Sequence, residues 1–509
     1  MNHFKHGVAS GDPLSDRVII WTKISDVSEE SHQVRYEVAT QKKNPEQAFE
    51  NIIQEGLAHA KKGDNYTVKV DVLGLEPSTN YFYRFIYQEQ ISPIGSTKTA
   101  PSDDDLTPVR FATVCCSHIQ DNYFTAYKVL AKRGDIDFVI HLGDSIYEYG
   151  PNHKINLWPN DKYFRPIHIP SWDNVTLEDY RERYCCYLTD PDLQLVNSRY
   201  PFYFTWDDHE IADNASLGGA NNHDPSKQGD WTTRFEAARK AWFEYHPVRG
   251  ETIFRHVRYG KLISMTILDE RSYKDPQKDK RDVRSSSSHN NSAPRTMLGN
   301  DQKEFLKANL LNENALWHLI ANPLMFSETL LKIPIPKCPV FNWFRNKLKL
   351  DSSNRMIIDM DQWDGYPEER NEIRDFIKKN NIKNCIFLTG DLHVSTAGSI
   401  KYRFEEEENV GVEIVTPSIS SDNLNEFIHL KEGNLISKLV THILKESNPH
   451  LRILDTDRHG YVIFDINKQF LKGDFWFLKE IRNPHSDMEA IFSLKVFKDT
   501  NRLLLLKDK

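Results

Sequence analysis

The chain of 509 residues is predicted to be an α/β protein whose main domain follows a small N-terminal antiparallel β-sandwich. Up to about residue 100, short alternating runs of apolar and polar residues are separated by turn residues, which is typical of antiparallel strands. After residue 108, apolar runs alternate with helical patterns, which indicates a layered α/β fold around a buried sheet. We therefore assign residues 1–100 to the sandwich and residues 108–509 to the α/β domain, with an acidic, Pro-containing linker between them.

The composition is that of a globular protein with a substantial core, because 39% of the residues are hydrophobic and 27% are charged. The net charge of −8 gives no general attraction to nucleic acid or to anionic lipid, so a phosphate-bearing ligand must be held locally. The six cysteines occur as two adjacent pairs and two single residues, which predicts reduced thiols. No apolar run approaches the roughly 20 residues of a membrane span, and the chain as given begins without an apolar leader.

The elements of the two domains follow from these patterns in chain order. Four alternating runs predict the sandwich strands: "RVIIWTKI", "HQVRYEVAT", "YTVKVDVLGL" and "NYFYRFIY". Helices are predicted in "NYFTAYKVLAKR", "TLEDYRERYCCYL" and "FEAARKAWFEY", and the main strands in "VRFATVCCS", "IDFVIHLGD", "YFTWDDHE", "LISMTILDE", "LWHLIANP", "IKNCIFLTGD" and "VEIVTPS". The polar segment 274–296 is predicted to be an exposed excursion, and "FEEEEN" the solvated end of a hairpin.

Polar side chains follow the strands of the main domain. They include Cys116, Asp144, the Asp207–Glu210 run, the Asp269–Arg271 run, and Asp391 with His393. In layered α/β folds the functional site lies at the carboxyl ends of the strands, so these groups are expected to meet there. Because gathered carboxylates repel one another and Arg271 is the one obvious cation among them, a metal cluster is the simplest way to hold them ionised.

The donor types narrow the choice of metal. Aspartate oxygens suit hard cations such as Ca²⁺, Mg²⁺, Mn²⁺ or Fe³⁺, whereas a thiolate from Cys116 suits iron or zinc better than calcium. A phenolate from Tyr147 needs a strong Lewis acid to lower its pKa from about 10, and ferric iron meets that demand best. Asp144 and Tyr147 are three residues apart, so a helical turn after the strand would bring them together. The alternatives are a buried structural thiol for Cys116, a packed ring for Tyr147 and a structural ion pair for Arg271.

A series of motifs in consistent order resembles the PhoD-type alkaline phosphatases of the calcineurin-like metallophosphatase group. The motifs are "HGVASGDPLSDRVIIWT", "FATVCCS", "HLGDSIYEYG", "LEDYRERY", "TWDDHEIADN", "LDERSY", "DQWDGYP", "LTGDLHVS" and "EIVTPSISS". The resemblance implies that residues 108–509 form a four-layer α/β/β/α metallophosphatase catalytic domain holding Fe³⁺ and Ca²⁺. It also implies an exported protein, although the chain as given shows no leader, which leaves a cytoplasmic location open.

Matched motif by motif, the resemblance implies a set of metal ligands in this chain. They are Cys116, Asp144, Tyr147, Asp208, Asn214, Asp391 and His393. This chain has Cys115 and Ser117 where relatives often carry Ser and Gln, so Cys116 is matched by position alone. Asp213 precedes Asn214 at a place where two Asn are common in the family, so the motif around Asn214 matches the family only in part.

The predicted function is metal-assisted hydrolysis of phosphate esters by a metal-activated hydroxide. His209 is predicted to protonate the leaving group or to contact phosphate, and Arg271 to stabilise transition-state charge. The partner is a small phosphate ester, with no specific nucleic-acid binding, no transmembrane segment and a monomeric state. Two alternatives stay open at this point: a phosphodiesterase or phospholipase-like hydrolase, and a non-enzymatic surface- or carbohydrate-binding protein.

Overall fold

A computed structural model provides the three-dimensional structure of the chain. It describes residues 2–44, 48–150, 164–165, 168–277, 295–312, 314–332, 355–427 and 429–506. Much of the predicted excursion 274–296 therefore lies outside the described residues, as does Cys338. The described cysteines are free thiols, in agreement with the sequence prediction. Among the described residues, no helix combines the length and the apolar character needed to cross a bilayer.

The N-terminal region consists of two packed sheets. Its strands are β1 (Val8–Gly11), β2 (Arg17–Lys23), β3 (Ser31–Asn44), β4 (Ala48–Lys61), β5 (Thr67–Leu73), β6 (Asn80–Tyr87), β7 (Gln90–Ile91) and β8 (Gly95–Lys98). One sheet contains β4, β3, β6 and β7, with β8 on β6, and the other contains β1, β2 and β5. Alternate residues such as Val18, Ile20, Tyr83 and Phe85 point into the core between the sheets. The antiparallel sandwich is confirmed.

The second region contains the remaining strands and the main helices. The strands are β9 (Val109–Val114), β10 (Phe138–Leu142), β11 (Pro201–Thr205), β12 (Arg255–Tyr259), β13 (Ile263–Ile267), β14 (Trp317–Ala321), β15 (Leu330–Lys332), β16 (Arg355–Ile357), β17 (Cys385–Thr389), β18 (Ser395–Lys401), β19 (Asn409–Val415), β20 (Leu451–Asp455), β21 (Gly460–Ile466), β22 (Phe470–Leu478), β23 (Met488–Phe497) and β24 (Leu503–Leu506). The helices are α1 (Thr125–Ala131), α2 (Leu177–Tyr187), α3 (Pro191–Asn197), α4 (Pro225–Gln228), α5 (Trp231–Tyr245), α6 (Gly299–Leu310), α7 (Pro367–Lys379), α8 (Leu424–Phe427) and α9 (Leu435–Ser447).

Two large sheets face each other with helices on both outer sides. The first runs β24-β23-β22-β21-β9-β10-β11-β1-β2-β5, and the second runs β12-β13-β14-β17-β19-β18-β20. Apolar side chains fill the space between the sheets, among them Phe111, Ile140, Met265 and Ile386. Helices α1, α2 and α5 pack on the outer face of the first sheet, and α6 and α7 on that of the second. The four-layer α/β/β/α arrangement is therefore confirmed.

Local sequence signals account for where the helices begin. Thr176 caps α2 in a reciprocal capping box with Asp179, and Asp230 caps α5 by accepting from the N–H of Thr233. The central strands β10 and β11 are buried throughout, as expected for parallel strands covered on both faces. The run Glu405–Glu408 lies exposed between the antiparallel strands β18 and β19, which confirms the predicted hairpin end.

The sandwich is continuous with the α/β domain. Strand β1 pairs in parallel with β11, so β1, β2 and β5 extend the first large sheet beyond its parallel centre. Asp12, at the end of β1, accepts hydrogen bonds from the N–H of Arg249 (2.7 Å) and from Nη2 of Arg255 (2.6 Å). The sequence patterns did not predict this buried ion pair between the two regions.

Replacing Asp12 with alanine should lower the free energy of unfolding by about 3 kcal/mol, because Arg255 would be left without its partner in a buried setting. Thermal and urea unfolding of the full chain measure this loss. Asp16→Ala is the matched control, since the pair of Asp16 with Arg17 is partly exposed and its removal should leave the unfolding midpoint unchanged. Equal midpoints for the two variants would contradict the assignment.

Candidate metal centre

The predicted ligands meet where the strands of the two facing sheets end. Three groups of side chains have ligand atoms that all lie within 4.8 Å of one another. The groups are Cys116 with Asp144 and His393, Asp144 with Asp208 and His209, and Asp144 with Asp207, Asp208 and Asp391. Asp144 belongs to all three groups.

The loops after the strands have an unusual backbone. Cys116, Asp144, Asn214, Asp391 and His393 all adopt positive φ, between 52° and 61°. Non-glycine residues seldom adopt this left-handed conformation, and such residues gather at functional sites where the surrounding fold enforces them. Five of the seven predicted ligands are held in this way, which indicates that the loops are shaped to aim their side chains into one place.

Glycines before two of the aspartates allow close approach of the strand ends. Gly143 has a φ of 99°, and a Cβ there would lie 2.5 Å from Cβ of Asp207. A Cβ on Gly390 would lie 3.1 Å from the carbonyl oxygen of Leu142, on the facing sheet. The Gly-Asp pairs in "HLGDSIY" and "LTGDLHV" thus permit the packing that brings Asp144 and Asp391 together.

Tyr147 connects the two halves of the cluster. Its hydroxyl donates to Oδ2 of Asp144 (3.1 Å), lies 3.0 Å from Nε2 of His393 and accepts from Oγ of Ser421 (2.8 Å). The ring stacks on the imidazole of His209, with centroids 4.2 Å apart. The three-residue spacing from Asp144 therefore does bring carboxylate and phenol into contact, as the sequence predicted.

Burial and mutual repulsion shape the ionisation of the carboxylates. Burial raises the pKa of Asp144 well above its ordinary value; His209 opposes this shift, and the carboxylate of Asp208 adds to it. The pKa of Asp391 is raised in the same way by burial and by Asp207 and Asp208. Burial also acts to raise the pKa of Asp208, but Arg271 and His209 outweigh it and lower the value to about 2. Arg271 and His209 thus offset only part of the negative charge that the carboxylates of the cluster would carry when ionised.

The neutral donors are also buried. Burial lowers the pKa of His393 to about 4, which keeps its ring unprotonated, and the carbonyl of Asp422 lies 2.9 Å from Nδ1. Nε2 is therefore the ring nitrogen that faces Tyr147 and the cluster. Burial raises the pKa of both the Cys116 thiol and the Tyr147 hydroxyl. A thiolate or phenolate at these positions would need a cation beside it.

Arg271 is completely buried beside the carboxylates. Its Nε donates to Asp207 (2.5 Å), its Nη1 donates to Asp361 (2.7 Å), and its Nη2 lies 3.3 Å from Asp208 and 3.8 Å from Asp391. Lys274, also buried, pairs with Asp361. These contacts fit a structural counter-ion of the cluster, which was the alternative weighed for Arg271. Its predicted contact with the transition state stays a prediction.

His209 is fixed by a buried carboxylate. Its Nδ1 lies 2.9 Å from Oε2 of Glu148, and its Nε2 lies 3.9 Å from Oδ2 of Asp208. Burial alone would lower the pKa of His209, but Asp208, Glu148 and Asp144 more than offset it and raise the pKa well above its usual range. Glu148 also accepts from the N–H of Asp213 and from Nδ2 of Asn222, so its position is closely determined.

The arrangement fits a cluster of cations. Oδ2 of Asp207 and Oδ1 of Asp208 are buried and accept no hydrogen bond from the part of the chain that the structure describes, although Nη2 of Arg271 lies 3.3 Å from Oδ1 of Asp208 as an ion-pair partner. Buried carboxylate oxygens without donors are costly unless a positive charge satisfies them. The donor set of carboxylates, imidazole, thiol and phenol suits metal ions. Asn214 donates its N–H to Oδ2 of Asp208 (2.6 Å), and its own role as a ligand stays a prediction.

Four acidic residues at the site were not among the predicted metal ligands or catalytic residues, although Asp207 and Glu210 belong to a run that was expected at this edge of the sheet. Asp207 belongs to the cluster, Asp361 pairs with Arg271, Glu148 holds His209, and Glu210 accepts from the N–H groups of Asp144, Ser145 and Asp207. Each lies within a motif already recognised, either "HLGDSIYEYG", "TWDDHEIADN" or "DQWDGYP". The motifs contained the signal, but the sequence did not show which neighbouring carboxylate would bind an ion and which would hold the backbone.

Comparison with known proteins agrees with this geometry. The profile of the PhoD-like phosphatase matches residues 111–475, and that of its N-terminal domain matches residues 1–101. The chain is 32% identical to alkaline phosphatase D of Bacillus subtilis (strain 168) over 98% of its own length and 82% of that protein. It superposes on a solved structure of PhoD with a TM-score of 0.84 and 30% identity, covering 99% of this chain and 92% of that one.

A more distant likeness concerns the fold alone. The purple acid phosphatase PPD1 from yellow lupin (Lupinus luteus) superposes with a TM-score of 0.57 at 12% identity, covering 97% of this chain and 74% of that one. The two family profiles together cover most of the sequence, and the curated relative extends the match along almost the whole chain. The chain belongs to the PhoD-like phosphatase family, whose members are metal-dependent enzymes that hydrolyse phosphate esters.

Proposed function

We propose that the metal centre of this phosphatase holds ferric iron together with calcium, and that it hydrolyses small phosphate esters. The observation that carries the proposal is the convergence of Cys116, Asp144, Asp208, Asp391 and His393 from strand ends of two facing sheets. Iron would be held beside Cys116 and Tyr147, since thiolate and phenolate donors favour it. Calcium would be held among the aspartate oxygens, with Asn214 as a further oxygen donor.

When bound, the metal ions supply a water-derived nucleophile near neutral pH and neutralise phosphoryl oxygens during an in-line displacement. The residues of the chain prepare this chemistry. Glu210 fixes the backbone of Asp144 and Asp207 through their N–H groups. Arg271 holds the carboxylate of Asp207, and Lys274 holds that of Asp361. Because Asp144 belongs to all three groups of potential ligands, its carboxylate would be able to hold more than one ion.

His209 is the proposed source of the proton for the leaving group. Glu148 sits at Nδ1, so the proton available to substrate is at Nε2, on the side of Asp208. Stacking on Tyr147 and the edge contact with Tyr149 limit rotation of the ring. In this arrangement His209 is the catalytic acid and Glu148 is a positioning residue that acts through it.

The preference between monoesters and diesters is the main alternative within this function. A phosphodiesterase or phospholipase-like enzyme would use the same ligands, so assays on matched monoester and diester substrates distinguish the two. The non-enzymatic binding protein considered from the N-terminal sandwich is excluded by membership in a phosphatase family. We keep the monomeric state as a prediction, which the hydrodynamic size of the purified protein tests.

Asp144→Asn should lower turnover of an aryl phosphate by about a thousandfold or more, because the shared carboxylate charge is lost and metal binding with it. Elemental analysis of the purified variant should show metal depletion. Asp135→Asn, which removes a surface partner of Arg133, is the matched control and should keep both metal and turnover. An active, metal-replete Asp144→Asn protein would overturn the shared-ligand assignment.

Tyr147→Phe should remove the phenolate-to-iron charge-transfer band from the visible spectrum of the iron-loaded protein, because that band requires a phenolate bound to ferric iron, whereas absorption from a Cys116 thiolate on iron would remain. The ring packing against His209 is preserved in this variant, so iron measured by elemental analysis should remain. Tyr149→Phe, with the neighbouring ring, should keep the band. A wild-type protein that is full of iron and colourless would remove Tyr147 from the ligand set.

Glu148→Gln should slow hydrolysis of an alkyl phosphate by about 10- to 100-fold, since the variant no longer fixes His209 for proton transfer to a poor leaving group. Hydrolysis of p-nitrophenyl phosphate should change much less, because its leaving group needs little protonation. Glu178→Gln, on the exposed face of α2, provides the control. Equal losses on both substrates would show that Glu148 supports the fold rather than the proton donor.

A further inference from the structure

Helix α9 (Leu435–Ser447) is attached to the protein by its polar side. Oγ of Ser437 donates to Oδ1 of Asp457 (2.7 Å), and the hydroxyl of Thr441 lies 3.0 Å from that of Thr456. At the end of the helix, Oγ of Ser447 accepts from the N–H of Lys332. Ser437 and Ser447 are the residues of α9 that are buried. The helix therefore packs on the fold with small hydroxyl side chains, beside the half-buried Val440 and Leu444.

The apolar side of the same helix faces solvent. Leu435 is 84% exposed, and Ile436, Leu439 and Ile443 are 54%, 57% and 37% exposed. Positions 435, 439 and 443 are spaced by four residues and form one stripe, with Ile436 beside it. A surface helix of a globular protein normally turns such a stripe towards the core. In α9 this orientation is reversed, so the apolar stripe is available to another surface.

Basic side chains border this stripe. Lys431, Lys438 and Lys445 are exposed. None of them forms an ion pair with another of the residues described here. Two exposed glutamates lie in the same segment, Glu432, which pairs with Arg458, and Glu446, so the exposed side chains of residues 431–446 carry a small positive charge while the whole chain carries −8. Apolar side chains bordered by lysines are the pattern of helices that lie in the interface of an anionic bilayer.

A second copy of the chain fits this face less well. A symmetric dimer through α9 would place the same patch on both partners, so the lysines of one copy would face those of the other. Anionic headgroups offer the opposite charge and an apolar layer at the same time. The charge pattern therefore favours a lipid surface over self-association.

We propose that α9 is a docking element for anionic phospholipid bilayers, with Leu435, Ile436, Leu439 and Ile443 entering the boundary between headgroups and acyl chains. Lys431, Lys438 and Lys445 contact the lipid phosphates. The segment before the helix leads directly to the metal centre, because Ser421 donates to Tyr147 and the carbonyl of Asp422 contacts His393. Docking would hold the centre close to the membrane surface. The proposal is independent of the reaction assigned to that centre.

Sedimentation of the full chain with vesicles of phosphatidylglycerol or of phosphatidylcholine tests the proposal. The wild type should bind phosphatidylglycerol vesicles about tenfold or more tightly than phosphatidylcholine vesicles. Leu435→Glu with Leu439→Glu should abolish binding to both. Lys438→Glu with Lys445→Glu should remove the preference for phosphatidylglycerol. Leu504→Glu with Leu505→Glu, on the exposed edge strand β24, should bind like the wild type.

Turnover of a soluble aryl phosphate should be the same in all these variants, which verifies that they are folded. If the wild type also showed no turnover, that result would count against the proposed function and not against docking. Failure of the wild type to bind phosphatidylglycerol vesicles would overturn the proposal. So would a wild-type dimer that the leucine variants convert to a monomer. A clear drop in unfolding temperature in the leucine variants would also overturn it, because the stripe would then be packed within the fold and not available to a bilayer.

Discussion

The site depends on holding several buried carboxylates at one place without letting them protonate or move apart. Asp144, Asp207, Asp208 and Asp391 offer oxygens within 4.8 Å of one another. Arg271 supplies a buried positive charge that reaches Asp207 and Asp208, and His209 supplies another. These charges lower the pKa of Asp208 but leave the pKa of Asp144 and Asp391 raised by burial. Bound cations are therefore needed to keep the carboxylates of Asp144 and Asp391 ionised.

The two facing sheets keep the crowded carboxylates in place, because other buried carboxylates fix the backbone of the loops that carry them. Glu210 accepts from three N–H groups in the loops after β10 and β11. In the facing sheet, Glu413 accepts from the N–H groups of Phe326 and Ser327 and from the hydroxyl of Thr389, which directly precedes Gly390 and Asp391. The carboxylates proposed as ligands are thereby left free to face one another in the cluster. Left-handed backbone at the ligands is tolerated because these contacts enforce it.

Much of this arrangement could be predicted from the sequence, since strand–helix alternation and polar strand ends are local patterns. The helices α2 and α5 and the strands before Asp144, Asp208 and Asp391 lie where the patterns indicated. Contacts distant in sequence were harder to predict. The pairing of β1 with β11 joins segments about 190 residues apart, and no local signal in "HGVASGDP" records it. The sequence also did not show which of Asp207, Asp208 and Glu210 would face the cluster and which would bind backbone N–H groups. The directions in which neighbouring side chains point are determined by the fold.

Helix α9 shows why exposure must be read from the structure. Its sequence, with leucines and isoleucines at helical spacing, would ordinarily indicate a core-facing stripe. The contacts of Ser437, Thr441 and Ser447 reverse that expectation, because a helix anchored by hydroxyls presents its apolar side outward. The metal centre follows the opposite logic, with charged groups inward and apolar layers around them. Buried carboxylates at the metal centre and exposed apolar side chains on α9 both depart from the usual pattern of burial. A bound ion would stabilise the former, and a bound surface would cover the latter.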